Sequence, residues 1–226
     1  MQLQNITKRR QEEEKRRYDD ACAAAHGMDL IGERWSMPLI RELLLGPRRF
    51  RDLKASLPAI SANVLTQRLE GLEAAGVLVR RKLPPPASVQ VYELTAWGYE
   101  SAPIFQALGR WAVRSPRHDP TRPFSPVSLM LSLRTMMSAE AAGQLEASIQ
   151  LDMEDEHFFW IRKNGEVKIG RGTVEAPALV LRGTPSQIAA YFYAGAPLPS
   201  IEHEGDEQLA ARLPDLFPMP GKAGTE

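Results

Sequence analysis

Apolar residues recur at helical spacing early in the chain. The segment SMPLIRELLLGPRRF predicts a helix that Ser36 caps and Gly46 ends, with Pro38 in its first turn. Its apolar positions are Leu39, Ile40, Leu43 and Leu44. A second short helix is predicted over residues 50–56, and a tight turn follows it at residues 57–60.

The pattern after that turn predicts a third helix, which Ser61 caps and Gly76 ends. Its inward stripe consists of Leu65, Leu69 and Leu72. Two short helices joined by a tight turn form a helix-turn-helix.

Two alternating runs, VLVRRKL at residues 77–83 and VQVYELT at residues 89–95, predict a β-hairpin with prolines in its loop. In the first run, Val77, Val79 and Arg81 alternate with Leu78, Arg80 and Lys82, so we expect one face to pack and the other to carry charge. A basic hairpin after the second helix of a helix-turn-helix is typical of a wing. The alternative is an ordinary edge ribbon with solubilising charge.

This order of elements predicts how the N-terminal half contacts double-stranded DNA. The polar side of the third helix is expected to enter the major groove, where Asn and Gln side chains bond adenine and Arg reaches guanine or phosphate. The predicted base-contacting residues are Ser61, Asn63, Thr66, Gln67 and Arg68. Contacts to the DNA backbone are predicted for Arg48, Arg49, Arg51, Lys54, Arg80, Arg81 and Lys82.

Charge separates the two halves of a chain whose formal net charge is zero. Residues 1–118 hold 19 Lys and Arg against 13 Asp and Glu, and residues 119–226 hold 9 against 15. Such asymmetry indicates that the first half meets a polyanion, although solvated charged faces would give it too. No stretch has the roughly 18 apolar residues of a membrane span, and the charged N-terminus is unlike a signal peptide. We expect a cytoplasmic protein that does not engage membranes.

The pattern changes after SPRHDPTRPFSP, a proline-rich stretch that predicts a linker. A helix is predicted over residues 128–147, followed by one strand before the Asn164-Gly165 turn and further strands after it. Two more helices are predicted over residues 185–194 and 206–213, with a strand between them. The sequence therefore predicts an α+β C-terminal domain, with helices on a mostly antiparallel sheet, behind a mainly α N-terminal domain.

Enzymatic chemistry is not expected. His157 and His203 lie near carboxylates, but the chain has no HExxH motif, no nucleophile elbow and no glycine-rich phosphate loop. The single cysteine, Cys22, excludes an internal disulfide and a Cys-rich zinc site. We therefore predict no catalytic residue, no cofactor and no metal.

The N-terminal half resembles the HxlR family of bacterial winged-helix regulators, which is related to the MarR group. The resemblance covers about residues 20–115 and lies in Cys22, Ile31-Gly32, Arg34-Trp35, Arg41-Glu42-Leu43, Gly46, Arg49-Phe50, Ile60-Ser61, Leu65, Arg68-Leu69, Gly76, Glu93-Leu94-Thr95 and Gly98. It implies a nucleoid-associated homodimer whose contacts come from an N-terminal helix and the helix over residues 96–113. Some members of the family sense oxidants or electrophiles through a cysteine placed like Cys22, whereas its alanine neighbours favour a small buried side chain.

The C-terminal half resembles the SCP2-like sterol-carrier domain over about residues 125–218. The similarity lies in the LDMEDEHFFWIRKNGEVKIGRG hairpin, the PALVLRGTPSQIAAYF strand-to-helix step and the late IEHEGD. It implies an apolar cavity. The residues predicted to line it, or alternatively to build a solid core, are Phe158, Trp160, Ile169, Leu179, Leu181, Ile188, Tyr191 and Phe192.

Together these patterns predict a transcriptional regulator modulated by a small hydrophobic effector. A redox- or electrophile-sensing regulator acting through Cys22 and an intracellular lipid carrier with an accessory winged helix are the alternatives. The predicted organisation is a charged arm (1–19), an HxlR-type winged helix (20–115), a linker (116–126), an SCP2-like domain (127–218) and a tail (219–226).

Overall fold

The computed structural model describes residues 18–224, so the predicted arm lies outside the described residues except for its last two positions. The described chain forms two compact units. The first unit contains residues 18–43 and 48–98, and the second contains residues 44–47 and 99–224.

The first unit is mainly helical and includes one β-hairpin. Its elements are α1 (Ala23–Ile31), α2 (Ser36–Leu43), α3 (Phe50–Ser56), α4 (Ala62–Ala74), β1 (Leu78–Lys82), β2 (Gln90–Leu94) and the short α5 (Ala96–Tyr99), whose last residue is assigned to the second unit. This order confirms the predicted winged helix-turn-helix, with α3 and α4 as the helix-turn-helix pair and β1–β2 as the wing.

Helix α4 begins and ends where its sequence predicts. The Ser61 hydroxyl accepts a hydrogen bond from the Val64 backbone N–H at 3.3 Å, and Gly76 follows the helix with a positive φ of 75°. The predicted inward stripe is buried, and its members are Leu65, Leu69 and Leu72. The predicted N-cap of α2 is wrong, because Ser36 is the first residue of that helix and is buried.

The hairpin pairs β1 with β2 in antiparallel register, with Leu78 opposite Leu94. The hairpin is confirmed, but the predicted alternation along β1 is wrong. Val77 and Leu78 are both buried, whereas Val79 is 42% exposed. Only the start of β1 is buried, and its residues after Leu78 are exposed on both faces of that strand, whereas Val91 and Tyr92 on β2 are buried.

A close approach fixes the base of the hairpin against α5. Thr95 donates its backbone N–H to the Val77 carbonyl at 3.0 Å and its hydroxyl to the Gly76 carbonyl at 2.9 Å. The same hydroxyl accepts the backbone N–H of Gly98 at 2.9 Å. A Cβ atom at position 98 would lie 2.1 Å from the Val77 carbonyl oxygen, so only glycine fits there.

The second unit combines helices with one sheet. Its helices are α6 (Ala102–Ala112), α7 (Pro126–Met136), α8 (Ala139–Ala142), α9 (Pro185–Tyr193) and α10 (Glu207–Arg212), with 3₁₀ turns at Leu198–Ser200 and Pro214–Leu216. Its strands are β3 (Ala147–Met153), β4 (Glu156–Lys163), β5 (Glu166–Arg171), β6 (Leu179–Arg182) and β7 (Glu202–Gly205).

The five strands lie in the order β5-β4-β3-β6-β7. Only the β3–β6 pair is parallel among these neighbours, which confirms a mostly antiparallel sheet. The predicted hairpin at Asn164-Gly165 joins β4 to β5, and Thr184 caps α9 in a capping box with Gln187.

The central strand β3 was missed by the sequence prediction. Helix α7 ends at Met136 and the short α8 covers Ala139–Ala142, so the predicted single helix over residues 128–147 is interrupted and does not reach residue 147. The predicted single strand before Asn164 is two strands, β3 and β4, separated by a turn in which Glu154 has a positive φ of 55°. That turn has only two residues and contains neither glycine nor proline, so the sequence has no strong turn signal there.

Helix α6 belongs to the second unit because it packs against α7. The Arg110 guanidinium donates to the Thr135 carbonyl at the end of α7, from Nε at 2.8 Å. The stretch between α6 and α7 has neither helix nor strand, which fits the predicted linker. The first compact unit, however, already ends at Gly98, before α6 begins. The predicted boundaries at residues 115 and 127 stay predictions.

The predicted tail is bound to the end of α6 in its described part. Lys222 donates from Nζ to the Val113 carbonyl at 3.0 Å, and Ala223 donates its N–H to the Arg114 carbonyl at 2.7 Å. Across residues 18–224, no helix is long and apolar enough to cross a membrane.

Candidate nucleic-acid interface

The outer side of α4 is a polar, exposed helical face. Asn63, Thr66 and Gln67 are exposed on it, and the buried leucines hold the opposite side against the unit. The Thr66 hydroxyl donates to the Ala62 carbonyl at 3.0 Å, so its oxygen remains an acceptor. Ser61 is exposed at the N-terminal end of this face while it caps the helix.

Arg68 differs from the other four residues predicted to contact bases. Its Nη2 lies 3.1 Å from an oxygen of Glu33, in the turn between α1 and α2, and its side chain is only 22% exposed. The structure therefore turns Arg68 toward the body of the unit. Sequence periodicity could not reveal this ion pair, because Glu33 lies in another element.

The basic residues before α4 have different exposures. Arg51 is 76% exposed beside Asp52, at 3.3 Å, and Lys54 donates to the Pro58 carbonyl at 3.2 Å. Arg48 is half-buried and donates from Nη2 to the Ser56 hydroxyl at 3.2 Å. Arg49 is half-buried at the N-cap position of α3.

Two of the three wing cations form ion pairs within the unit. Arg80 Nη2 lies 2.7 Å from a carboxylate oxygen of Glu73 on α4, and Arg81 pairs with Glu93 on β2. The hydrogen bond from Arg80 lowers the pKa of the Glu73 carboxyl below its usual value. Lys82 is exposed at the far end of β1. The wing therefore carries its positive charge partly in pairs that tie it to α4 and β2.

Cys22 is exposed at the N-cap position of α1, which contradicts the expectation of a buried small side chain. The backbone N–H groups of Ala25 and Ala24, at the start of the helix, lower the pKa of its thiol. Alanine-rich sequence suggested a core position, but the helix begins directly after this residue and leaves it in solvent.

The eight residues predicted to line a cavity lie together in the second unit as packed core. All except the half-buried Ile169 are buried. Phe217, which the sequence analysis did not single out, contacts two of them edge to face, with ring centroids 6.0 Å from Trp160 and 5.0 Å from Phe192. Burial also raises the pKa of Tyr191 to about 12, and its hydroxyl donates to the Ala210 carbonyl. This packing matches the solid-core alternative.

A groove that the sequence did not indicate lies elsewhere in the second unit. It has a volume of about 480 Å³ and is lined by Ala107, Arg110, Trp111, Arg114, Thr135, Met136, Pro218 and Pro220. These residues come from three distant stretches of chain, so no local motif marks them. Among residues 18–224 there is no group of three His, Cys, Asp or Glu side chains that could hold a metal ion.

Comparisons with known proteins match the N-terminal half. A family model described as HxlR-like helix-turn-helix matches residues 30–119. The uncharacterized HTH-type transcriptional regulator YvaP of Bacillus subtilis is 38% identical over 86 residues, which are 38% of this chain and 79% of YvaP. The HTH-type transcriptional regulator YodB of the same organism is 35% identical over 83 residues, which are 37% of this chain and 74% of YodB.

The solved structure of reduced YodB covers 44% of this chain and 100% of its own, at 30% identity and a TM-score of 0.40. The family assignment rests on the sequence identities, which extend over most of each relative's length. The matched residues include the helix-turn-helix and the wing. The chain belongs to the HxlR-like helix-turn-helix family and is a DNA-binding transcriptional regulator of that type.

Proposed function

We propose that α4 is the recognition helix and that Asn63 and Gln67 contact base edges in the major groove. The observation that carries this proposal is the exposed polar face of α4 set against its buried leucine stripe. An α-helix fits the major groove, and Asn or Gln can bond the N6 and N7 atoms of adenine together. Ser61 and Thr66 lie on the same side and add hydroxyl contacts to bases or phosphates.

The cations around α4 position the helix on the duplex. Arg51 and Lys82 are exposed and contact phosphates directly in this proposal, together with Arg49 and Lys54. Other cations already bind partners within the unit, namely Arg48, Arg80 and Arg81. These three contact phosphates in this proposal only through the guanidinium nitrogens that do not bind those partners. Arg68 acts by holding α4 against Glu33.

The test begins with selection of the preferred DNA site from a random library. Binding of Asn63→Ala and Gln67→Ala is then measured on a panel of single-base variants of that site. We expect each variant to lose about 1–3 kcal/mol of discrimination at one base pair. Arg51→Ala is expected to weaken binding to all sequences alike and to reduce the salt slope by about 1. Glu70→Ala, on an exposed position farther along α4, is the control. Unchanged base preference in both amide variants would contradict the assignment.

We also infer a two-fold homodimer, which places two recognition helices about one helical turn of DNA apart. In the second unit, α6 leaves three large apolar side chains exposed at spacing i, i+4 and i+7, namely Ile104, Leu108 and Trp111. In the first unit, Tyr18, Met28 and Trp97 are also more than half exposed. Apolar surface of this extent supports an interface with a second copy.

The C-terminal unit is proposed to be an SCP2-like domain that carries an effector site. The strand and helix order after β3 supports this, with the Asn164-Gly165 hairpin, the β6-to-α9 step capped by Thr184, and the late strand β7. Effector binding changes DNA affinity only if the effector prefers one DNA-binding state over the other. Operator affinity that stays flat across fatty acids and aromatic acids would contradict an effector role.

A second candidate function is redox or electrophile sensing through Cys22. The supporting observation is an exposed thiol at the N-terminus of α1 with a lowered pKa, because a thiolate is the reactive form. Loss of DNA binding after treatment with a quinone or hydrogen peroxide, abolished by Cys22→Ser, would support it. An identical response in wild type and Cys22→Ser would contradict it.

A further inference from the structure

The groove of the second unit has the features of a small-molecule site. One wall consists of Ala107, Arg110 and Trp111 on α6, together with Arg114 two residues after the helix ends. The end of α7 supplies Thr135 and Met136, and the chain after Phe217 supplies Pro218 and Pro220. Its volume of about 480 Å³ lies within the usual range for ligand pockets.

Hydrogen bonds hold the proline wall in place. Arg114 donates from Nε to the Gly221 carbonyl at 3.2 Å, and its own carbonyl accepts the N–H of Ala223 at 2.7 Å. Lys222 donates to the carbonyls of Val113 at 3.0 Å and Ser115 at 3.3 Å. These hydrogen bonds fix the proline wall to the end of α6.

Two guanidinium groups lie at this groove, and within residues 18–224 neither has a carboxylate partner. Arg110 uses Nε and Nη2 on the Thr135 carbonyl, at 2.8 and 2.5 Å. Arg114 uses Nε on the Gly221 carbonyl, which leaves its two Nη groups for a ligand. Within residues 18–224 these two cations are compensated only by carbonyl dipoles, which favours an anionic ligand, and a guanidinium binds a carboxylate in bidentate fashion.

The rest of the groove lining favours a ligand that carries an aromatic ring next to its anionic group. The Trp111 ring is 74% exposed and offers a flat apolar face, while Met136, Pro218 and Pro220 add apolar surface. We propose that this groove binds an aromatic carboxylate, whose ring lies against Trp111 and whose carboxylate pairs with Arg114.

Such a ligand would also affect dimerisation through the exposed face of α6. This second step rests on the proposed homodimer. Trp111 lines the groove and is the last member of the stripe that includes Ile104 and Leu108. A ligand and a second copy that both contact Trp111 are thermodynamically linked, so occupancy changes the dimer affinity and with it the DNA affinity.

The binding test uses the full chain labelled with 5-fluorotryptophan and titrated with 2-naphthoate, without DNA. The four tryptophans give separate ¹⁹F resonances, and Trp111→Phe assigns one of them. We expect the Trp111 resonance to shift as the site fills. Arg114→Gln is expected to weaken 2-naphthoate binding at least tenfold, and the neutral analogue 2-naphthamide is expected to bind at least tenfold more weakly to the wild type. Arg117→Gln, at an exposed arginine outside the groove, is the matched control and is expected to leave binding unchanged.

Equal 2-naphthoate affinity in the wild type and Arg114→Gln would overturn the proposal. So would the absence of a Trp111 shift at millimolar ligand. DNA affinity is measured separately by fluorescence anisotropy without ligand. A chain that binds DNA but not 2-naphthoate refutes the ligand site alone, whereas a chain that does not bind DNA refutes the proposed function.

Discussion

The guanidinium of Arg80 on the wing lies 2.7 Å from a carboxylate oxygen of Glu73 on α4. The pair joins the two elements proposed to touch DNA, and both side chains are partly exposed, at 45% and 30%. Its contribution to folding stability is therefore small, about 0.2–1 kcal/mol for a pair of this type. The larger effect of the pair is electrostatic, because Glu73 neutralises the charge of Arg80 next to the proposed DNA interface.

We expect Glu73→Gln to bind DNA of any sequence more tightly than the wild type. The substitution removes a negative charge and frees Arg80 for a phosphate, so the slope of log affinity against log salt should steepen by about 0.9. Anisotropy titrations on an unrelated duplex between low and moderate salt measure this. Glu140→Gln, at an exposed glutamate of the second unit, is the control. Weaker binding by Glu73→Gln would show that Glu73 is needed to orient Arg80.

The same pair gives a pH dependence with a defined sign. Its hydrogen bond lowers the pKa of Glu73 in the folded protein, so this stabilisation is present at neutral pH and is lost as the pH falls through that lowered value. Comparing urea midpoints of the wild type and Glu73→Gln, we expect the difference to shrink on acidification below the pKa of a free glutamate. A difference that grows on acidification would contradict this assignment.

Gly98→Ala should destabilise the first unit by about 1–3 kcal/mol, because its methyl group would lie 2.1 Å from the Val77 carbonyl oxygen. Gly109→Ala is a matched control on α6, since a Cβ atom there meets nothing within 4 Å. It should be stabilising by about 0.5–1 kcal/mol, the helix propensity gain. Thermal unfolding followed by circular dichroism separates the two. Equal midpoints would show that the hairpin base shifts easily.

Leu108→Glu should dissociate the proposed homodimer. A carboxylate in the middle of the exposed stripe of α6 would be desolvated in an interface without a partner, at a cost of several kcal/mol. Sedimentation equilibrium measures the change in dissociation constant. Val79→Glu places the same charge on an exposed apolar position of the wing and serves as the control. An unchanged dimer in Leu108→Glu would move the interface away from this face.

Phe217→Ala should destabilise the second unit by about 3–5 kcal/mol, because its ring fills the space between Trp160 and Phe192. Urea unfolding of the full chain reports the loss, with Met219→Ala, two residues later and 41% exposed, as the control. If Phe217→Ala lowered the free energy of unfolding no more than Met219→Ala does, this core would be loosely packed and able to admit a ligand.

Local signals were sufficient to predict several elements of this fold. Ser61, the leucine stripe and Gly76 predicted α4, and Asn164-Gly165 predicted the β4–β5 hairpin, because caps and tight turns depend on residues close together in sequence. The base-contacting residues remain predictions from helical periodicity. What the sequence could not reveal depends on distant partners.

Distance along the chain explains each failure. Arg68 pairs with Glu33 from the turn between α1 and α2, and the groove is lined by residues within 107–114, 135–136 and 218–220. Strand β3 was not separated from β4 because the turn between them has only two residues and contains neither glycine nor proline. Val79 was predicted to pack because alternation shows which residues share a face but not whether anything covers that face.

The parallel pairing of β3 with β6 has a consequence for biosynthesis. Strand β3 can pair at once with β4, but its other edge stays open until β4, β5 and the following loop have been made and β6 arrives. A nascent chain would therefore complete its winged helix from nearby contacts while the later sheet still exposes an unpaired strand edge. We expect substitutions that weaken the pairing of β6 to cause aggregation during expression.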